Sequence, residues 1–454
     1  MCISFERKAK MYSQLESLPR NKLRELQDEK LRAMIRYVSE RVPFYQQRFR
    51  ECGIQPDDIR SVDDLPRLSF TRKQDLAEQY PLGLLAVPRE QVMRIHASSG
   101  TMGKSTVVCY TRNDIELFSE MMARSLVAAG ARPGMILHNG FNYGLFTTGL
   151  GVHYGAEKLG MTIVPTSSGM LEQQLTLILD LKPEVICCPP FYARALGEEF
   201  IRCGIPPEEI SLKYALLGAE PWTESMRAEI DENLGVRCTN LYGLTEILGP
   251  GVSQECVEVR AGSHIWEDHF YPEVVDPMTG DPLADGYEGV LVFTHLSKEA
   301  MPLLRYWTGD ISSLTHEPCA CGRTHVKMGP IRGRSDDLIV VQGMNLYPAQ
   351  IEAIMKGIPE ALPFYQIVVT RKGSQDDIEI KVEVTEPIFR EIAQETLDEQ
   401  GAVADHRMRN LRTSIQSKIK GTIGLSSKVT LLAPGILPRS EGGRVRKVLD
   451  LRKH

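Results

Sequence analysis

The chain has 454 residues, 42% of them hydrophobic and 25% charged, with a formal net charge of −6. Such a length and composition suit a globular protein of two to four domains with ample core, and an acidic balance without a lasting basic stripe speaks against nucleic-acid binding. The N-terminal stretch "MCISFERKAKMYSQLESLPR" is charged throughout, no apolar run nears the ~18 residues of a membrane span, and ten cysteines lie scattered; a cytoplasmic protein with reduced thiols is expected.

Residues 22–50 set Leu23, Leu26, Leu31, Met34, Ile35 and Val38 on one helical face, which predicts an N-terminal helix packed on the main body. Next comes "HASSGTMGKST" (96–106), between the extended flanks "EQVMRI" and "VVCYT". Gly100 and Gly103 let backbone N–H groups converge, the hydroxyls donate, and Lys104 adds charge, a composition for wrapping a phosphate chain. An ordinary hairpin turn has the same composition, and both readings stand on these residues alone. The stretch is not a P-loop, because GxxxxGK[ST] is absent and a strand follows.

From residue 114 the chain alternates. Helical "DIELFSEMMARSLVAAG" leads to "MILHNG", "GLGVHYGAEKLG" to "MTIVPT", and "LEQQLTLILDL" to "EVICCPP". "YARALGEEFIRCG" leads to "KYALLGAEP", and "ESMRAEIDENLG" to "VRCTNLYG". This is the pattern of an α/β fold with a parallel sheet, right-handed crossovers and strands covered on both faces. In such sheets the binding crevice lies beyond the carboxyl ends of the strands, where "FNYGLF" (141–146), "GAEPW" (218–222) and "YGLTE" (242–246) fall. Turn-rich "DPMTGDPLADGYEG" then precedes strand-like "VLVFTHL". The remainder reads as paired strands "YQIVVT" and "DIEIKVEVT", a long helix "MRNLRTSIQSKIKGTIG" and a last strand "KVTLLAP", which together make a small α+β domain.

"SSGTMGKST", "YGLTE", "RYWTGD" (305–310) and "GRSDD" (333–337) stand in the order and spacing of the adenylate-forming enzymes. With "VPFYQQRF", "YGLFTTGLGVHYGAEKLG", "GAEPWTE", "IWEDHFYPEV", "GRSDDLIVVQGMNLYP" and "LPRSEGG", the chain from about residue 12 to its end resembles the phenylacetate–CoA ligases. The resemblance implies a large N-terminal adenylate-forming domain (1–335) with parallel β/α sheets, and a small C-terminal α+β domain (336–454) that rotates about a hinge at Asp336. It implies a two-step reaction. A phenylacetate-like aromatic carboxylate attacks the α-phosphate of ATP, giving an acyl-adenylate and pyrophosphate, and the thiol of coenzyme A then displaces AMP. Some similar enzymes pass the acyl group to an amino acid instead, forming an amide as the coronafacate–amino acid ligases do. A homologue that only senses a nucleotide or acid is a third reading.

Residue roles follow from the same resemblance. Ser98, Ser99, Gly100, Thr101, Gly103 and Lys104 would cradle the triphosphate, although Met102 and Ser105 replace the usual Thr and Pro. Glu246 would hold Mg²⁺, since a carboxylate beside phosphates repels them unless a cation lies between. Thr245 would reach the α-phosphate and Tyr242 would stack on adenine. Gly218, Ala219, Glu220, Pro221 and Gly243 would line the nucleotide and acyl pockets. Asp310 would accept from the ribose hydroxyls, with Arg334 beside ribose or phosphate. Phe141, Tyr143 and Phe146 would form the acid pocket, with Gly144 and Gly149 leaving room. Relatives carry a catalytic lysine after the C-terminal glycines, where Arg444 stands here and Lys447 follows three residues on; the guanidinium keeps the charge but not the shape.

"EPCACGRTH" (317–325) and "SQECVEVRAGSHIWEDHF" (253–270) supply cysteines and histidines. Related ligases with the CxCG insert resemble structural zinc proteins. One four-ligand site of Cys256, His264, Cys319 and Cys321 is therefore expected, with His325 as a substitute for His264 and buried free thiols as the alternative. A homodimer is a family expectation.

Overall fold

The apolar stripe near the N-terminus is carried by two helices, Arg20–Arg41 and Pro43–Glu51, where the periodicity predicted one. Pro43 is the cause. Its ring forces Val42 into extended backbone (φ −116°, ψ 103°), and it then starts the second helix at a position that needs no N–H. Leu23, Leu31, Met34, Ile35 and Val38 face inward as expected. Leu26 does not; Gln27 takes the inward place and donates from Nε2 to the Glu267 carbonyl at 3.1 Å.

The computed structural model describes residues 11–98, 106–220, 222–335, 339–341, 344–346, 348–372, 375–395, 401–439, 445 and 447–452. The chain divides into two units: Met1–Thr308 with Ser312–Ile331, and Gly309–Ile311 with Arg332–His454.

The β/α alternation of the first unit builds five parallel strands in the order Arg237–Leu244, Tyr214–Gly218, Val185–Cys188, Ile136–Asn139, Thr162–Val164. Period-two alternation sorts their side chains between two helical layers. Leu137, Val185, Cys187 and Leu216 join the core beneath helices Arg112–Ala128 and Thr148–Leu159. Ile186, Cys188, Ala215, Leu217 and Cys238 face helices Leu171–Leu181, Pro190–Arg202 and Glu224–Leu234. The parallel sheet read from the sequence is found, and it continues beyond these five strands. Gly249–Glu255, Ser263–Ile265, Lys327–Met328 and Leu314–Thr315 extend it as antiparallel strands, making a nine-stranded mixed sheet. The turn after "YGLTE" sends the chain straight back beside Arg237–Leu244 without a helix, so the parallel rule ends there.

Phe270–Val275 and Gly289–His295 form an antiparallel ladder in the first unit. In the second unit a hairpin of Ala361–Lys372 and Gln375–Val384 gains parallel neighbours Lys428–Leu432 and Val448–Asp450 at its edges. Ile351, Ile354 and Met355 of helix Pro348–Lys356 and Ile415 and Ile419 of Gly401–Ile423 share a core with Ile367, Val369, Ile380 and Val382 of this sheet. The α+β character read from the sequence is found. Among the described residues, no helix is long and apolar enough to cross a membrane.

Candidate active site

The stretch 99–105 lies outside the described residues, and with it Ser99, Gly100, Thr101, Gly103 and Lys104; its two stems are described. Arg94–Ser98 and Thr106–Tyr110 pair antiparallel, closing on Ser98 opposite Thr106. From that rim the Ser98 hydroxyl donates to Glu246 Oε1 at 3.4 Å. Glu246 and Thr245 are both buried, and the Thr245 and Thr147 hydroxyls meet at 3.3 Å. Thus the end of the central strand Arg237–Leu244, the N-terminus of helix Thr148–Leu159 and the stem of the 96–106 loop converge on one polar cluster.

Close backbone approach shapes the floor of this cluster. A Cβ on Gly218 would lie 2.2 Å from the Leu241 carbonyl oxygen, and one on Gly243 would lie 2.0 Å from that of Gly249. Ala219 holds a left-handed backbone (φ +68°), a conformation costing an L-residue about 1–2 kcal/mol and typical of chain bent for function. It turns the chain out of Tyr214–Gly218 towards Glu220; Pro221 lies outside the described residues. Tyr242 is half-buried and stacks on Phe293, ring centroids 6.4 Å apart at 29°.

The "FNYGLF" segment is tied to the same stem. Leu145 carbonyl oxygen accepts from Ala97 N–H at 3.1 Å and from His96 Nδ1 at 2.9 Å. Burial pulls the His96 pKa down, keeping the ring neutral. Of the three aromatics expected around the acid, Phe141 is 3% exposed within the core, whereas Phe146 is 56% exposed. Tyr143 lies between these extremes; its hydroxyl accepts from Asn139 Nδ2 at 2.7 Å and meets His153 Nδ1 at 3.1 Å. Gly149 is required sterically, since a Cβ there would sit 2.4 Å from the Asn142 oxygen.

In the second unit Asp310 and Arg334 face each other across an antiparallel pair, and Arg334 Nη1 donates to Asp310 Oδ1 at 2.8 Å. The arginine fixes the rotamer of the carboxylate. Asp336 and Arg444 lie outside the described residues; Lys447 is paired with Glu352 of its own unit.

Cys256, His264, Cys319 and Cys321 come together with their ligand atoms all within 4.8 Å of one another. Cys256 Sγ is 3.6 Å from Cys319 Sγ, and Cys321 Sγ is 3.4 Å from His264 Nε2. A tetrahedral zinc with bonds of about 2.3 Å to sulfur and 2.0–2.1 Å to nitrogen needs spacings of about 3.8 and 3.6 Å, so the donor set fits. His264 donates Nδ1–H to the His325 carbonyl at 3.0 Å, which turns Nε2, the ring atom a metal would take in place of a proton, into the group. The Cys321 thiol is held down towards thiolate by hydrogen bonds from Cys256 and His264. His325 is not in the group; its Nε2 reaches the Leu15 carbonyl at 3.1 Å.

The sequence reading missed the layer beneath Glu246. Lys298 and His295 are buried there, Lys298 Nζ 3.1 Å and His295 Nε2 2.5 Å from the Ile247 carbonyl oxygen, and Tyr110 donates to the Leu248 carbonyl at 2.8 Å. A lysine directly after the apolar run "VLVFTHLS" was the available signal.

The sequence profile of AMP-binding enzymes matches residues 26–297, and that of the AMP-binding enzyme C-terminal domain matches 343–452. The chain is 62% identical over 440 residues to a phenylacetate–coenzyme A ligase of Thermus thermophilus, covering 97% of this chain and 99% of that protein. It is 44% identical to the phenylacetate–coenzyme A ligase of Escherichia coli K12, covering 96% and 97%. Among solved structures, 2-hydroxyisobutyryl-CoA ligase in the postadenylation state superposes with a TM-score of 0.78 at 26% identity, over 97% of this chain and 92% of that one.

Proposed function

The chain belongs to the phenylacetate–coenzyme A ligase family of AMP-binding enzymes, and we propose how its residues divide the work of that reaction. It is an ATP-dependent acid–thiol ligase. The acid carboxylate attacks the α-phosphorus, forming a C–O–P linkage as pyrophosphate leaves. The thiolate of coenzyme A then attacks the acyl carbon, and AMP leaves. In our reading the acid is aromatic and phenylacetate-like.

The observation that supports the phosphate assignment best is the convergence of Ser98, Thr245 and Glu246 beside the stem of the 96–106 loop. Glu246 would hold Mg²⁺, which neutralises phosphate charge; Thr245 would donate to the α-phosphate from a hydroxyl oriented by Thr147. Ser98, Ser99, Gly100, Thr101, Gly103 and Lys104 would bind the departing pyrophosphate. Tyr242 would stack on adenine, with Gly218, Ala219, Glu220, Pro221 and Gly243 along the nucleotide. Asp310, its rotamer fixed by Arg334, would accept from the ribose hydroxyls. Arg444 would address the reacting carboxylate, and the second unit would swing about Asp336. Tyr143 and Phe146 would contact the acid, with Phe141 supporting them from the core. Zinc would occupy the Cys256–His264–Cys319–Cys321 group with every position filled by protein, which makes it structural.

The test is pyrophosphate release with ATP, Mg²⁺ and a panel of aryl, arylacetic and alicyclic acids. Each acid is run without acceptor, with coenzyme A and with mixed amino acids, and the products are identified by mass. An arylacetyl thioester is the expected product. An amide in place of the thioester would overturn the acceptor, and silence with every acid would overturn the assignment of Arg444.

A further inference from the structure

Lys298 is 1% exposed, on a chain with ample surface for a cation. Burying an ammonium is costly unless something specific holds it. The segment that carries it is anchored with care. Helix Arg112–Ala128 opens with a capping box in which Thr111 Oγ1 accepts from Asp114 N–H at 3.1 Å and Asp114 Oδ2 from Thr111 N–H at 3.0 Å. The same Asp114 accepts from Glu299 N–H at 2.7 Å and Ala300 N–H at 2.9 Å, so Lys298 is delivered from a rigid helix terminus.

What it meets is the turn after Glu246. The N–H groups of Ile247 and Leu248 both point back to the Leu244 carbonyl at 3.2 and 3.3 Å, folding residues 244–248 into a tight turn. The carbonyl oxygens of Ile247 and Leu248 then need donors from elsewhere. His295 supplies Nε2–H to Ile247; its Nδ1 accepts from Leu303 N–H at 2.7 Å, which fixes that tautomer. Lys298 donates to the same oxygen while sitting 4.8 Å from the centre of the Tyr110 ring, and the Tyr110 hydroxyl holds Leu248. Three buried side chains thus clamp two successive carbonyls immediately behind the carboxylate.

We propose that Lys298, His295 and Tyr110 are positioning residues that hold the Leu244–Leu248 turn so that Glu246 and Thr245 present a fixed geometry to Mg²⁺ and the α-phosphate. The proposal rests on the reading of Glu246 as the Mg²⁺ carboxylate. It explains why a costly buried charge is kept beside a carbonyl that His295 already satisfies. It also explains why two donors converge on one oxygen where one would satisfy it.

The experiment compares Lys298→Met, Lys298→Gln, Tyr110→Phe and Glu246→Gln with the parent enzyme. Three quantities are read: the half-saturating Mg²⁺ concentration in pyrophosphate release, the gain in ATP affinity on adding Mg²⁺, and the melting temperature. Lys298→Met is expected to raise the Mg²⁺ requirement by about 10–100-fold, the range for residues that orient a metal ligand, without lowering the melting temperature. Lys298→Gln, which keeps an N–H donor, should return most of the loss. Tyr110→Phe, which removes one hydroxyl and keeps the ring, should raise the requirement about two- to tenfold, the effect of one hydrogen bond. A parental Mg²⁺ requirement in folded Lys298→Met, or in Tyr110→Phe should the former fail to fold, overturns the positioning role. Full activity in Glu246→Gln overturns the Mg²⁺ reading beneath it, so the two failures are distinguishable.

Discussion

Removing the zinc proposed for the four-ligand group is the perturbation with the widest structural reach. The Cys256–Cys319 and Cys321–His264 spacings of 3.6 and 3.4 Å fall within about 0.2 Å of those a tetrahedral zinc imposes. Without a cation the three sulfurs cannot all be ionised this close together, and Cys256 keeps its proton, hydrogen-bonded to the Cys321 sulfur. The loop that holds two of them is also the seat of the N-terminal segment. Arg323 Nε donates to Glu16 Oε2 at 2.8 Å with both side chains fully buried, Thr324 Oγ1 donates to the Leu18 carbonyl at 2.6 Å, and His325 reaches Leu15. A metal bound only by the folded state contributes about 4 kcal/mol when its free concentration is a thousand times Kd. At an unfolding entropy of about 2.1 cal/mol/K per residue, each kcal/mol moves the melting temperature of a unit of roughly 330 residues by about 1.5 °C, so stripping the ion is expected to lower it by roughly 6 °C. Metal analysis should find about one zinc per chain, cobalt substitution should give a three-sulfur, one-nitrogen spectrum, and chelation should speed hydrogen exchange over residues 12–18. A purified chain with no metal, the three thiols of Cys256, Cys319 and Cys321 all free to react, and a melting point indifferent to chelator would refute the reasoning.

Asp268→Asn should cost about 3–5 kcal/mol in denaturant titration, because Arg124 Nη1 meets both Asp268 oxygens at 2.8 and 2.9 Å and neither side chain is exposed; a loss under 1 kcal/mol would show the guanidinium is satisfied without it. Gly218→Ala forces a Cβ to 2.2 Å from the Leu241 oxygen, so two central strands must part, at about 1–3 kcal/mol and with loss of adenylation. Burial pulls the Lys298 pKa down to about 8, against the pull of Asp114, Cys109 and Glu246. Between that value and the unfolded value of about 10.4 the unfolded chain binds more protons, so stability rises with pH by about 3 kcal/mol. The rise should vanish in Lys298→Met, and identical slopes in the two proteins would sink the argument.

The β/α alternation was legible because each strand is short, apolar and bounded by Gly or Pro, and each helix repeats at the helical period. Two features were not. The break at Val42 depends on a single proline inside an otherwise continuous stripe, and the antiparallel half of the large sheet has strands as short as Leu314–Thr315 and Lys327–Met328, too brief for a period-two signal. The Cys/His group was readable only by joining two segments, 253–270 and 317–325, that the sheet brings side by side where His264 lies opposite Lys327.

The active site shows where motif reading stops. Motifs name the residues proposed to meet ligands, such as Thr245 and Glu246, because those types recur with the chemistry. They do not name what holds them, since a buried lysine, a histidine at a strand end and a core tyrosine look like three unrelated residues in sequence. Lys298 follows the strand Gly289–His295, Tyr110 ends the strand Thr106–Tyr110, and the two meet only beneath the 244–248 turn. The same logic separates Phe141 from Phe146. The sequence places both in one sheet-end loop, but Phe141 follows directly from the strand Ile136–Asn139 and shares its core, while Phe146 is carried clear of it. Contact with a substrate can be read from residue type and spacing. The support behind it requires the fold, because that support is built from side chains whose only common property is where the sheet puts them.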